Sequence, residues 1–252
     1  MSCFTGKTVL VTGGGAGIGS AVAQAFAQAE AAVVIAGRSA EPLRRTAELI
    51  RAGGGTATAI TADVTQSAEV ATLVEQAVNA HGGLDIAVNS AGIITGFGPV
   101  GDIDLRQWQQ IVATNLTGTL LSMQHEIAHM RKAGGGVIVN VASTIGAHRR
   151  VAGLGAYAAT KAALTALTRT AALDHIGEGI RINTISPGPV DTPGSYRPGE
   201  SRTERDARIG HQIPLGRVGT LSEITDAVLY LASPQASFLV GTDLVVDGGS
   251  TT

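Results

Sequence analysis

Val9-Leu-Val-Thr-Gly-Gly-Gly-Ala-Gly-Ile-Gly-Ser-Ala-Val-Ala-Gln-Ala-Phe26 decides the fold. Val9, Leu10 and Val11 form a short apolar run of the kind that makes a parallel strand covered on both faces, and helical spacing of apolar residues begins at Ile18. Between them lie Gly13, Gly14, Gly15, Gly17 and Gly19. Such a turn lets the chain reverse sharply and lets a pyrophosphate approach the backbone. The amides opening the next helix then supply donors and a partial positive charge. A nucleotide cradle and a plain strand-to-helix connection are the two readings. The spacing is Gly-x3-Gly-x-Gly (13, 17, 19), not the Gly-x-Gly-x-x-Gly of the usual dinucleotide fingerprint.

Outward from this unit, the chain keeps alternating. Ala32 to Ala36, Thr56 to Thr61, Leu84 to Val88, Val137 to Val141, Ile180 to Ile185 and Leu244 to Val246 read as further strands. Helices are predicted over Pro42 to Arg51, Ser67 to His81, Leu105 to Lys132 and Leu154 to Ile176. A last helix runs to Ala232 from Thr220-Leu-Ser-Glu223, which resembles a capping box, and Ser67 fits as the N-cap of its own helix. The pattern predicts a single α/β domain over residues 1–252, a doubly wound sheet of about seven parallel strands with helices on both faces. Ligands gather at the carboxyl ends of the strands in such sheets. Pro187 to Pro214 is the least regular segment, and we read a lid around residues 189–213, with a surface excursion as the alternative.

Composition sets limits. Hydrophobic residues make up 44% of the 252, enough to fill one core, and a net charge of -2 gives no electrostatic footprint for nucleic acid or an anionic membrane. The one cysteine, Cys3, cannot form an internal disulfide, so a reducing cytoplasm is expected. No apolar run approaches the roughly 18 to 20 residues of a membrane span, and Met1 to Thr8 is too short and mixed for a secretion signal.

Tyr157-Ala-Ala-Thr-Lys161 places a phenol and an ammonium on one helix face. Lys161 is expected to favour the phenolate and lower the Tyr157 pKa, giving a group that exchanges protons near neutrality. Ser143 ends a predicted strand 14 residues earlier, and Asn115 lies in the preceding helix.

At these residues the chain strongly resembles the short-chain dehydrogenase/reductase family, Rossmann-like oxidoreductases. The resemblance spans nearly the whole chain, in order: Thr12 to Gly19, Asp63-Val64, Asn89-Ser-Ala-Gly92, Asn115, Asn140-Val-Ala-Ser143, Tyr157 to Lys161, Pro187-Gly188 and Val246-Asp-Gly-Gly249. It implies hydride transfer between a nicotinamide and a ketone or secondary alcohol. Tyr157 would be the general acid or base, and Ser143 would bind the substrate oxygen. Lys161 would hold the nicotinamide ribose and acidify Tyr157, and Asn115 would anchor a relay water. The cofactor would lie along Gly13, Gly15, Gly17, Ile18 and Gly19, with Asp63 and Val64 flanking the adenine. Asn89, Ala91 and Gly92 would line the cleft, Pro187 and Gly188 would border it, and Val190 and Thr192 would contact the carboxamide. NAD-using relatives usually place an acidic residue after the second strand; this chain has Arg38-Ser39, which favours NADP(H). Ile94, Ser143, Ile145, Tyr157 and Tyr196 are expected to shape the substrate pocket, and the resemblance implies a homotetramer.

Three departures stand out. Ser90 replaces the usual second Asn, Glu30 stands where relatives commonly end the first helix with Gly, and the Ser143 to Tyr157 gap is one residue longer and holds His148-Arg149-Arg150. Those cations either select substrate or form a solvated loop, the latter being preferred. His125-Glu126-Ile-Ala-His129 matches a zinc-protease signature, but both histidines project away from the apolar stripe of Leu116, Leu120, Met123, Ile127 and Met130, and no third ligand follows at a persuasive spacing. No metal is expected. A dinucleotide sensor without catalysis is the other alternative.

Overall fold

The computed structural model describes residues 4–252; Cys3, on which the compartment expectation rests, lies outside them. Seven strands form one parallel sheet: β1 (Thr8–Thr12), β2 (Ala32–Gly37), β3 (Thr56–Thr61), β4 (Ile86–Asn89), β5 (Gly136–Val141), β6 (Ile180–Pro187) and β7 (Asp243–Val246). Their order is β3-β2-β1-β4-β5-β6-β7, so the winding reverses between β1 and β4. The expected α/β class, parallel sheet and strand count are all present.

Side-chain alternation along the strands separates two cores. Val9, Val11, Val33, Ile35, Val88 and Val139 pack under α1 (Gly17–Gln28), α2 (Ala40–Ala52) and α9 (Leu221–Ala232). On the opposite face, Leu10, Val34, Ala87, Ile138 and Ile182 meet α3 (Ser67–His81), α5 (Gly118–Ala133) and α7 (Gly155–His175). Neighbours one position apart thus serve opposite faces, which fixes the register of β1 against β2, Leu10 to Val34.

Three local expectations differ. The helix predicted over Leu105 to Lys132 is broken into α4 (Leu105–Val112), a π turn (Ala113–Thr117) and α5. A π turn adds a residue to the coil, and here it turns Asn115 inward. Ser67 is the first helical residue rather than the cap; its hydroxyl pairs with His125 Nε2 at 3.2 Å instead. Within residues 189–213, Ser201-Arg-Thr-Glu204 closes a capping box that opens α8 (Arg202–Gly210), so this segment carries its own helix. The Thr220 to Glu223 box forms as expected. Glu30 accepts strain: it is the one non-glycine with positive φ (+66°) among the described residues, and its carboxylate takes the Thr5 hydroxyl at 2.5 Å.

Candidate active site

Where the winding reverses, the turns after β1 and β4 touch. Gly13 has φ +70°, and a Cβ on it would lie 2.8 Å from Ala91 N, so only glycine lets the two turns pass. A Cβ on Gly19 would collide with the Gly13 carbonyl, which keeps α1 tight against the turn. No side chain caps α1 and no acid sits in its first turn, so the amides at Gly17, Ile18 and Gly19 remain for an anion. Thr192, shortly after β6, brings its methyl to 3.7 Å from where a Gly17 Cβ would be. A dinucleotide pyrophosphate fits this cradle in charge and shape.

At the end of β2, Arg38 and Ser39 are exposed. The Arg38 guanidinium pairs with no described residue, and Ser39, though at the N-cap of α2, makes no capping bond. Asp63 accepts the Thr65 amide at 2.9 Å, while Val64 is buried over Gly118. Asn89 was expected to line the cleft, but its side chain turns inward, donating to Glu126 Oε2 at 2.9 Å and Asn140 Oδ1 at 3.1 Å. The cleft wall there is backbone, at Ala91 and Gly92. Pro187 ends β6, and Gly188 packs on Asp247, where a Cβ would lie 2.6 Å away. Val190 is buried beyond it.

Tyr157 and Lys161 stand one turn apart on α7. Lys161 is 6% exposed; its Nζ donates to Val141 O at 2.8 Å and lies 5.8 Å from the centre of the Tyr157 ring. Ser143 caps the short turn Thr144–Ala147 (α6), accepting the Ile145 amide at 3.1 Å, and its hydroxyl stands close enough to the Tyr157 phenol to pull that group's pKa down. Asn115 is fully buried in the π turn. Its Oδ1 accepts from Ile93 N at 2.8 Å and its Nδ2 donates to Ile93 O at 2.9 Å. Gly92 lies between: a Cβ there would sit 3.4 Å from Asn115 Oδ1 and 3.6 Å from Lys161 Nζ. Four residues distant in sequence therefore meet beside the β4 turn.

Burial pushes the Tyr157 phenol above its ordinary value, with the Ser143 hydrogen bond pulling it partly back. This corrects the expectation that Lys161 lowers it. The Lys161 ammonium is spent on the Val141 carbonyl, and burial itself draws that amine from 10.5 down to about 8. At neutral pH the site holds a protonated phenol beside a mostly protonated amine, a constellation able to donate a proton to a substrate oxygen.

Of the residues expected to shape the substrate pocket, Ile94, two residues after Gly92, is 45% exposed, and Ile145, two after Ser143, is half-buried. Tyr196 is occupied within its own segment, its hydroxyl donating to Asp191 Oδ1 at 3.1 Å and its ring lying under the buried Arg205 guanidinium at 4.5 Å. The zinc-signature residues diverge: Glu126 is buried on Asn89, and His125 faces Ser67. Sequence reading missed Glu126, whose carboxyl burial raises to about 7, and Arg205, because a charged residue at an interior position breaks the pattern used to find interiors. Ser201-x-x-Glu204 was a legible signal for α8.

Residues 13–251 match the family model described as enoyl-(acyl carrier protein) reductase. The chain is 39% identical over 249 residues to cis-4-hydroxycyclohexanecarboxylate dehydrogenase of Sinomonas cyclohexanicum, covering 98% of each. It is 38% identical to 2-(S)-hydroxypropyl-CoM dehydrogenase 3 of Xanthobacter autotrophicus, covering 97% of this chain and 96% of the other. A short-chain type dehydrogenase/reductase from Mycobacterium ulcerans superposes with a TM-score of 0.93 at 33% identity, covering 98% of this chain and 90% of that one.

Proposed function

Because the chain belongs to the short-chain dehydrogenase/reductase family, whose members are nicotinamide-dependent oxidoreductases of alcohols and the corresponding carbonyls, we propose that it interconverts a ketone and a secondary alcohol with NADP(H), Tyr157 being the general acid and base. The observation that carries the reading is the convergence of Ser143, Tyr157 and Lys161, with Asn115 alongside, at the carboxyl ends of β4 and β5. When bound, the nicotinamide supplies or takes the hydride at C4. In the reducing direction Tyr157 gives its phenolic proton to the substrate oxygen as charge builds there, and Ser143 donates a second hydrogen bond. Lys161, held by the Val141 carbonyl one turn from Tyr157, would bind the nicotinamide ribose and so place the cofactor beside the phenol. Asn115, tied to Ile93 through both side-chain groups, keeps the π turn beside Lys161, where it would anchor the water that resupplies the proton.

The Arg38 guanidinium, paired with no described residue and with the Ser39 hydroxyl next to it in sequence, supports the 2'-phosphate of NADP over NAD. Exposed Ile94, two residues after Gly92, and half-buried Ile145, two residues after Ser143, together with the hydroxycyclohexanecarboxylate named for the Sinomonas relative, support an alicyclic substrate. Exposed Leu173 and Phe238 support a homo-oligomer, tetrameric by family resemblance, and the single cysteine supports a cytoplasmic setting. Among the described residues, no helix is long and apolar enough to cross a membrane. The test is NADPH oxidation with a panel of ketones. Tyr157→Phe should abolish turnover and keep cofactor affinity; parental turnover in that variant overturns the role given to Tyr157, and a wild type that binds NADPH but reduces no ketone leaves the non-catalytic sensor.

A further inference from the structure

Ser143 is the base of a small turn that closes on itself. Arg149 N donates to Thr144 O at 2.7 Å, and Gly146 N donates to Arg149 O at 3.0 Å. Inside it Ile145 and Gly146 leave helical geometry, Gly146 with φ +146°. A Cβ on Gly146 would fall 2.9 Å from Ala162 N and 3.1 Å from Lys161 Cβ, so the turn sits directly on α7 beside the reactive pair.

Two side chains hold its far end. Arg149 reaches Gln212 Oε1 at the end of the lid, at 3.1 Å, in an exposed contact that water competes for. His148 makes the stronger tie: its Nε2 lies 2.7 Å from Asp243 Oδ2 at the start of β7. The Asp243 side chain is 2% exposed and also takes the Ser186 hydroxyl at 2.6 Å and the Thr165 hydroxyl at 3.4 Å. A carboxylate so removed from water needs its donors, which makes this contact costly to break.

We infer that His148 is a positioning residue: its bond to Asp243 pins the Ser143 turn against the sheet edge and so aims the Ser143 hydroxyl at the substrate oxygen. The inference rests on the reading of Ser143 and Tyr157 as the reacting pair. His148 touches neither the cofactor cradle nor the phenol, so its loss acts on the chemical step and not on cofactor binding. It also gives a role to one residue of the longer Ser143 to Tyr157 gap, His148, as an anchor of the turn.

The test compares His148→Ala, His148→Gln and Arg149→Gln, with Tyr157→Phe as control, measuring kcat and KM for a ketone and Kd for NADPH. His148→Ala should lower kcat by about tenfold or more, as displacement of a reacting group does, with NADPH Kd within about twofold. His148→Gln, whose amide can still donate to Asp243, should recover much of the loss and does so even if the alanine variant folds poorly. Arg149→Gln should stay near parental rates. A parental kcat in His148→Ala, an equal fall in NADPH affinity, or a glutamine variant no better than alanine overturns the inference. If Tyr157→Phe keeps its activity, the catalytic reading itself fails; if that control is inactive while His148→Ala is unaffected, only the positioning role falls.

Discussion

Lys161→Met should make the folded protein more stable at neutral pH while removing its activity. The ammonium is 6% exposed, and burial lowers its pKa from 10.5 to about 8. At about 1.4 kcal/mol per pH unit, that interval is a destabilisation of about 3 kcal/mol at pH 7. Methionine fills a similar volume without the charge, but strands the Val141 carbonyl that now accepts from Nζ, at a cost of about 1–3 kcal/mol. The net gain at pH 7 is therefore about 1 kcal/mol. The pH dependence tests the origin more sharply than the offset. Below pH 8 both folded and unfolded wild type hold the proton, and the burial penalty is present in full. Between 8 and 10.5 the folded protein releases it while the unfolded chain keeps it, so wild-type stability climbs relative to the variant by about 3 kcal/mol across that window. Urea denaturation followed by circular dichroism at pH 7, 8, 9 and 10 measures the difference. A gap between the two proteins that does not change with pH refutes the buried-charge argument.

Glu126→Gln should show the opposite sign. Burial raises this carboxyl from 4.5 to about 7, so wild type loses stability, relative to the variant, as pH rises from 4.5 through 7, by about 3 kcal/mol; denaturation at pH 4.5 and 8 measures it. Arg38→Asp should weaken NADPH binding by about ten- to a hundredfold, the loss of charge-assisted bonds to a phosphate, with NADH affinity spared, as read by fluorescence titration. Glu30→Gly should stabilise the fold by about 0.5–1 kcal/mol, since it relieves the left-handed φ of +66° and loses only the exposed Thr5 contact; thermal unfolding checks it.

Much of this architecture was written in local pattern. The β1 turn and α1 followed from the apolar run, the glycines and the helical spacing after Ile18, and Tyr157 and Lys161 shared a face because four residues make about one turn. What stayed hidden depends on contacts across the chain. Asn115 enters the site through a π turn whose cause is its bonds to Ile93, 22 residues away. The direction of the Tyr157 shift is set by the burial of the phenol, which a shared helix face with Lys161 does not show. Asn89 lay in a recognisable motif, yet its side chain serves the interior with Glu126 and Asn140. Ser67 shows the limit of capping signals: Gln66 takes the N-cap position in its place.

The central claim is that this site moves a hydride to a carbonyl held by Ser143 and Tyr157. The most direct measurement is mass spectrometry of the alcohol formed when the protein is given NADPH carrying deuterium at both C4 positions and an alicyclic ketone. The account predicts one deuterium on the carbinol carbon with the wild type and no deuterated product with Tyr157→Phe. Label in the product of the phenylalanine variant at the wild-type rate, or none from the wild type with any ketone of the panel despite bound NADPH, contradicts it.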